Sequence, residues 1–268
     1  MKRVLIVNAD DCNLTPGVTR AILKCHDEGI VSSTTWMVNL PFTPDTVRSV
    51  LKRRGLGVGI HLNVTLGMPV SSPQKVRSLI DSEGRFSKLQ KQLGKLPEKR
   101  DLVIEYASQV EKFKKIFGRY PTHLDTHHQV HDHPLFFHAL IQVAIRYGLP
   151  IRRSSLMRSP HLYPPPNKLG RGKEGGAWKT TDFFFGNFSP AGYWKRDALE
   201  TVLETLPEGT SEIMCHPGYH DRDLGAISSF TEGREQEFRL LRSGYLRKKL
   251  NELEINLQHF GLFYTKIK

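Results

Sequence analysis

The sequence is poor in the features that settle a fold quickly. It has three cysteines, Cys12, Cys25 and Cys215. That odd number, with no CxxC spacing, encodes neither a disulfide framework nor a zinc knuckle, and reduced thiols are the simplest reading. No apolar stretch approaches the roughly 18 residues that span a bilayer. The phosphate-cradling pattern GxxxxGK[ST] is absent. The Gly- and Lys-rich run from Gly170 to Gly176 has no strand before it and reads as a lid. Internal repeats, zinc fingers and aromatic-basic ladders are also missing.

What remains is the composition of a packed, basic domain. Of 268 residues, 38% are hydrophobic and 25% charged, which suits a folded core and a single domain over 1–268. The formal net charge is +12, with Lys and Arg spread along the chain and densest near 85–119 and 234–249. This reads as a basic solvated surface rather than a specific nucleic-acid interface. The N-terminus opens like a signal peptide, but its apolar run breaks at Asn8. It reads as the first buried strand of a cytoplasmic protein.

Short apolar strands alternate with helical stretches. Val4–Asn8 is a continuous apolar run. Thr15–Glu28 has helical spacing, with Thr15 as N-cap, Pro16 at the first helical position and Gly29 as the stop. Ile30–Asn39 and Leu56–Val64 read as strands and Pro44–Arg53 as a helix. Residues 66–100 form a long excursion. Asp101–Phe117 is an amphipathic helix closed by Gly118, followed by a short strand at His123–Asp125 and a helix at Pro134–Tyr147. Leu156–Gly176 is a second excursion. Ala198–Leu206 is helical, Ser211–Cys215 a strand, and the C-terminal part holds helices near 232–253 and a last strand near 255–265. Such alternation predicts an α/β fold with a parallel sheet, open or closed.

Residues that can bind metal fall at the ends of these strands, the edge where parallel α/β folds carry their chemistry. Asn8-Ala9-Asp10-Asp11 ends an apolar strand in two carboxylates, whose side chains alternate in direction if the strand persists. A turn or helix-capping role is the bland alternative. His61, between Ile60 and Leu62, reads by itself as a hydrogen-bonded core residue or a ligand. From His123 to His133 there are five histidines and two acids. An exposed histidine tract is one reading and a metal site the other, and spacing does not choose which histidine binds. His216 ends another strand, before Pro217-Gly218. Together the four segments point to Asp and His ligands around a divalent ion, with spare carboxylate and imidazole groups for proton transfer.

The segments Val7-Asn8-Ala9-Asp10-Asp11, Gly59-Ile60-His61-Leu62-Asn63, Pro121 through His131 and Met214-Cys215-His216-Pro217 resemble the YdjC-like carbohydrate deacetylase family, colinearly from residue 3 to about 260. The resemblance implies a distorted TIM-like β/α barrel with long inserted loops, often a homodimer. It implies an enzyme that removes acetyl groups from N-acetylated sugars using a divalent ion, commonly magnesium. By motif, Asp11, His61 and His127 match the metal ligands, Asp10 the catalytic base and His216 a second catalytic histidine. Two positions depart from the family: Cys12-Asn13 stands where it usually has aromatic-Gly, and Gln129 replaces a histidine. A cysteine beside the metal favours a softer ion such as zinc.

Two other readings compete: a metal-dependent hydrolase or isomerase on another small substrate such as a phosphoester, and a non-catalytic sugar- or nucleic-acid-binding protein. Aromatics in the excursions (Phe86, Tyr163, Trp178, Phe183 to Phe185, Tyr193, Trp194) suit sugar stacking and core packing equally. The substrate-binding residues stay unassigned.

Overall fold

The computed structural model describes residues 2–158, 178–186 and 192–263. The Gly170–Gly176 run and Tyr163 lie outside the described residues. The chain forms two compact units, one of Met1–Trp36, Phe42–Gly59 and Thr181–Lys268, the other of Met37–Pro41 and Ile60–Thr180. Seven strands are described: β1 (Arg3–Cys12), β2 (Ser33–Trp36), β3 (Gly57–Leu62), β4 (Leu124–Thr126), β5 (Phe183–Phe185), β6 (Gly209–Cys215) and β7 (Asn256–Leu257).

In the first unit β1 is central. It pairs in parallel with β2 on one side and β6 on the other, with β7 alongside its start and β5 beyond β6. Its run Leu5-Ile6-Val7 is fully buried, as a strand covered on both faces requires; each such side chain contributes roughly 1.5–3 kcal/mol. The helix Pro16–Glu28 packs on β1. Its start is as predicted: the Thr15 side chain accepts a hydrogen bond from the Val18 N–H at 3.1 Å, and Pro16 occupies the first turn. The Gly57 N–H donates to the Ser32 carbonyl at 3.0 Å, so β3 begins in this unit before running into the other.

In the second unit β3 pairs in parallel with β4, with His61 directly opposite Asp125. The helices Lys99–Phe117 and Pro134–Tyr147 pack together, and both end at a glycine in the left-handed conformation, Gly118 and Gly148. The excursion after β3 is tied down by Glu105, whose buried carboxylate accepts the N–H groups of Val70 and Ser71 at 2.9 Å each.

Every named strand pair is parallel, and strands alternate with helices. The fold is the expected α/β class. Some expectations needed correction. The last strand expected near 255–265 covers only Asn256–Leu257 and is followed by a 3-10 helix at Phe260–Phe263. Phe183–Phe185, placed in a loop-like excursion, is a strand: three bulky aromatics with no alternation carry no period to read. The alternation that a regular strand would give the acid pair is interrupted by a register shift between Ala9 and Cys12. Among the described residues no helix is long and apolar enough to cross a membrane.

Candidate active site

The acid pair sits on a break in β1. Ala9 is opposite Thr34 and Cys12 opposite Trp36, so three steps on β1 face two on β2. One extra residue is therefore accommodated, as in a β-bulge. Asp11 takes a left-handed conformation (φ 65°), as does Asn13 (φ 74°). Asp and Asn tolerate this region better than other non-glycine residues. Asn13 thus suits the left-handed backbone of its position. Both Asp10 and Asp11 are buried.

Their partners differ. The Asn8 side-chain amide donates to Asp10 Oδ1 at 2.9 Å, and His216 Nε2 stands 3.9 Å from Asp10 Oδ2. Asp11 Oδ2 accepts from Arg234 Nη2 at 2.6 Å, and both side chains are buried. His216 keeps 23% of its side chain exposed and meets the edge of Phe230, so it is the solvent-reachable member of this group. Its backbone N–H donates to Glu237 Oε2 at 2.5 Å, while Glu237 Oε1 accepts the Trp194 N–H at 3.0 Å. Burial pushes the Glu237 carboxyl up to about 7 against the lowering effect of these two N–H groups and Arg234. Cys12 is fully buried, and burial pushes its thiol up to about 12. Among the described residues, no cluster of possible metal ligands includes Cys12.

The histidines form a second group. His61 Nδ1 donates to Asp125 Oδ1 at 2.7 Å, and Arg152 Nη1 holds Asp125 Oδ2 at 3.1 Å. All three side chains are essentially inaccessible. Burial alone would raise the Asp125 carboxyl, but His61 and Arg152 together hold it well below the usual carboxylate range. A carboxylate only accepts, so this contact fixes the tautomer and places the neutral ring's lone pair on Nε2. That nitrogen faces His127 Nδ1 at 3.3 Å.

The other four histidines of the cluster have separate duties. His123 bonds Thr122, His131 bonds Thr126 at 2.6 Å, and the His133 ring accepts from the Leu135 N–H at the start of a helix. His128 stacks on His127 with ring centres 3.9 Å apart and bonds Thr65 Oγ1 at 2.9 Å. His128 and Gln129 both take positive φ (57° and 50°), a turn that aims His127 and His128 side by side. Gln129 donates to Asp132 at 3.1 Å, so the residue that departs from the family is absorbed into the turn.

Within the units, then, Asp10 lies beside His216, and His61 beside His127. Sequence reasoning did not single out Asp125, Arg152, Arg234 or Glu237. Asp125 had a signal, since it falls inside the histidine cluster. Arg234 and Glu237 had none: in the charged run Glu232–Leu241 they look like any solvated pair.

Comparison with known proteins bears on this geometry. The model of the YdjC-like protein family matches residues 4–252. A carbohydrate deacetylase of Geobacillus stearothermophilus is 35% identical over 265 residues, covering 98% of this chain and 99% of its own. One from Thermoanaerobacter pseudethanolicus is 33% identical, covering 97% and 99%. Among solved structures, a protein of Enterococcus faecalis described as a proposed cellobiose-phosphate cleavage protein is 27% identical, covers 99% of this chain and 100% of its own, and superposes with a TM-score of 0.86. A family 4 carbohydrate esterase of Streptomyces lividans shares the fold at 12% identity, with a TM-score of 0.52 and coverage of 95% and 91%.

Proposed function

The chain belongs to the YdjC-like family, and from that premise we propose that it is a metal-dependent carbohydrate deacetylase, hydrolysing the acetamide of N-acetylated sugars to acetate and a free amine. The observation that carries this reading is the pair of facing nitrogens, His61 Nε2 and His127 Nδ1, 3.3 Å apart. Two ring nitrogens this close would both reach a single divalent ion. The buried Asp125 that orients His61 is the partner a ligating histidine needs.

In this reading His61, His127 and Asp11 are the residues that would hold a divalent ion. When bound, the ion supplies Lewis acidity to the acetyl carbonyl and lowers the pKa of water. Asp10, oriented by Asn8, accepts the proton of the attacking water as general base. His216, protonated, donates a proton to the departing nitrogen as the carbon–nitrogen bond breaks. Arg234 holds Asp11 in place through Oδ2. Magnesium is the ion assigned, with zinc as the competitor. The catalytic domain is taken as the whole of 1–268, because the acid pair and the histidines lie in different parts of the chain. The protein is further proposed to be cytoplasmic and homodimeric, without a specific nucleic-acid partner.

The test is acetate release from a panel of N-acetylated sugars, with chelator and then with magnesium or zinc restored. Activity is expected to vanish with chelator and to return with metal. Asp10→Asn and His127→Ala are each expected to abolish it while circular dichroism stays native. Undiminished turnover in both variants sinks the proposal, and light scattering on the purified protein checks the dimer.

A further inference from the structure

The turn that carries His216 is fastened to one helix, Glu232–Leu241, by its backbone. The His216 N–H donates to Glu237 Oε2 at 2.5 Å, and the Gly218 N–H donates to the Arg234 carbonyl at 3.1 Å. Pro217, between them, has no N–H to place. Gly218 fits because a Cβ there would meet Arg234 Cδ and Val18 Cγ2 at 3.2 Å. Glu237 reaches further. Its other oxygen accepts the Trp194 N–H at 3.0 Å, and the Trp194 indole N–H donates to the Met214 carbonyl at 2.8 Å. Trp194, Glu237, His216 and Met214 thus close a ring around the end of β6.

Glu237 is fully buried, and an ionisable group at such a place is costly unless it satisfies something specific. What it satisfies is two backbone donors, one of them on the residue whose imidazole stands 3.9 Å from Asp10. A neutral apolar residue would fill the space but leave both donors without their acceptor. An amide would offer one acceptor and turn its own N–H groups toward the other donor.

We infer that Glu237 is a positioning residue for the hydrolytic reaction, holding the His216 backbone so that its imidazole stays in reach of both Asp10 and the leaving nitrogen. The inference rests on the role proposed above for His216. Small displacements of an acid cost turnover far more than binding, so the effect belongs in kcat.

A double-mutant cycle on metal-loaded full-length protein tests it, with acetate release from N-acetylated chitooligosaccharides as readout. Glu237→Gln is expected to lower kcat about 10- to 100-fold with KM within about twofold. In the His216→Ala background the same change is expected to do nothing further, because Glu237 acts only through that side chain. A Glu237→Gln penalty that persists undiminished in the His216→Ala background, or wild-type kcat in Glu237→Gln beside an impaired His216→Ala, overturns the inference and leaves the proposed function standing. Wild-type turnover in His216→Ala overturns the proposed acid role and the inference with it. If Glu237→Gln does not fold, Glu237→Asp, which keeps both acceptors one methylene shorter, is read in the same cycle with the same outcomes.

Discussion

Asp125 and Glu237 are both fully buried carboxyl groups beside proposed site residues, yet their environments drive them in opposite directions. Asp125 meets a histidine and an arginine, and these override burial to hold it ionised. Glu237 meets two neutral backbone N–H groups, which do not override burial, and its carboxyl rises to about 7. Burial penalises charge equally in both places; the difference is whether a formal countercharge is in contact. The histidine end is therefore built on the Arg152–Asp125 ion pair, whose carboxylate fixes a ring and its tautomer. The β6 end is built from backbone hydrogen bonds that fix a turn.

The comparison breaks most sharply at Asp125. Asp125→Ala removes the carboxylate from the inaccessible Arg152 and is expected to destabilise the fold by about 3–5 kcal/mol. It should also weaken metal binding about 10- to 100-fold. Urea denaturation and metal titration check the two effects, and a change below about 1 kcal/mol would mean that Asp125 is not the countercharge described.

A smaller effect separates the two carboxyls by pH. Asp125 is depressed below the usual 3.8, so its contribution is present above that pH and is lost as the solution is acidified through and below it. Glu237 is raised from 4.5 to about 7, so its contribution is present below 4.5 and is lost as pH rises through 7. The gap corresponds to about 3 kcal/mol. Stability measured from pH 4.5 to 7.5 should therefore fall less steeply in Glu237→Gln than in the wild type. Parallel curves would remove the distinction between the two sites.

The smallest effect serves as a control outside both. Thr15→Ala removes the side-chain cap on the Val18 N–H and is expected to cost about 1 kcal/mol in thermal unfolding, with no change in the pH profile. A pH-dependent loss there would mean that the slope assigned to Glu237 is a general property of the fold.

Much of the architecture was legible in the sequence because it rests on local rules. The helix Pro16–Glu28 begins at its Thr-Pro signal, and Pro134–Tyr147 matches its expected bounds. β1, β3, β4 and β6 lie where apolar runs ended in acids or histidines. The tract of histidines was legible as chemistry but not as an assignment, since five residues of one type within a short span carry no order. Their separate duties depend on hydroxyl partners, Thr65, Thr122 and Thr126, that nothing in the tract itself selects.

By itself the sequence determined the α/β class, the strand ends on which chemistry falls and, through its motifs, the residues proposed as ligands and base. Tertiary structure alone decided that β1 bulges beneath Asp11, that Asp125 rather than water orients His61, and that Arg234 and Glu237, three residues apart in a charged helix, both turn inward. Periodicity and capping act over a few residues, whereas a buried charge is tolerable only where distant segments supply its partners. For Asp125 those partners are 64 residues away at His61, and for Glu237 they are 21 and 43 residues away at His216 and Trp194.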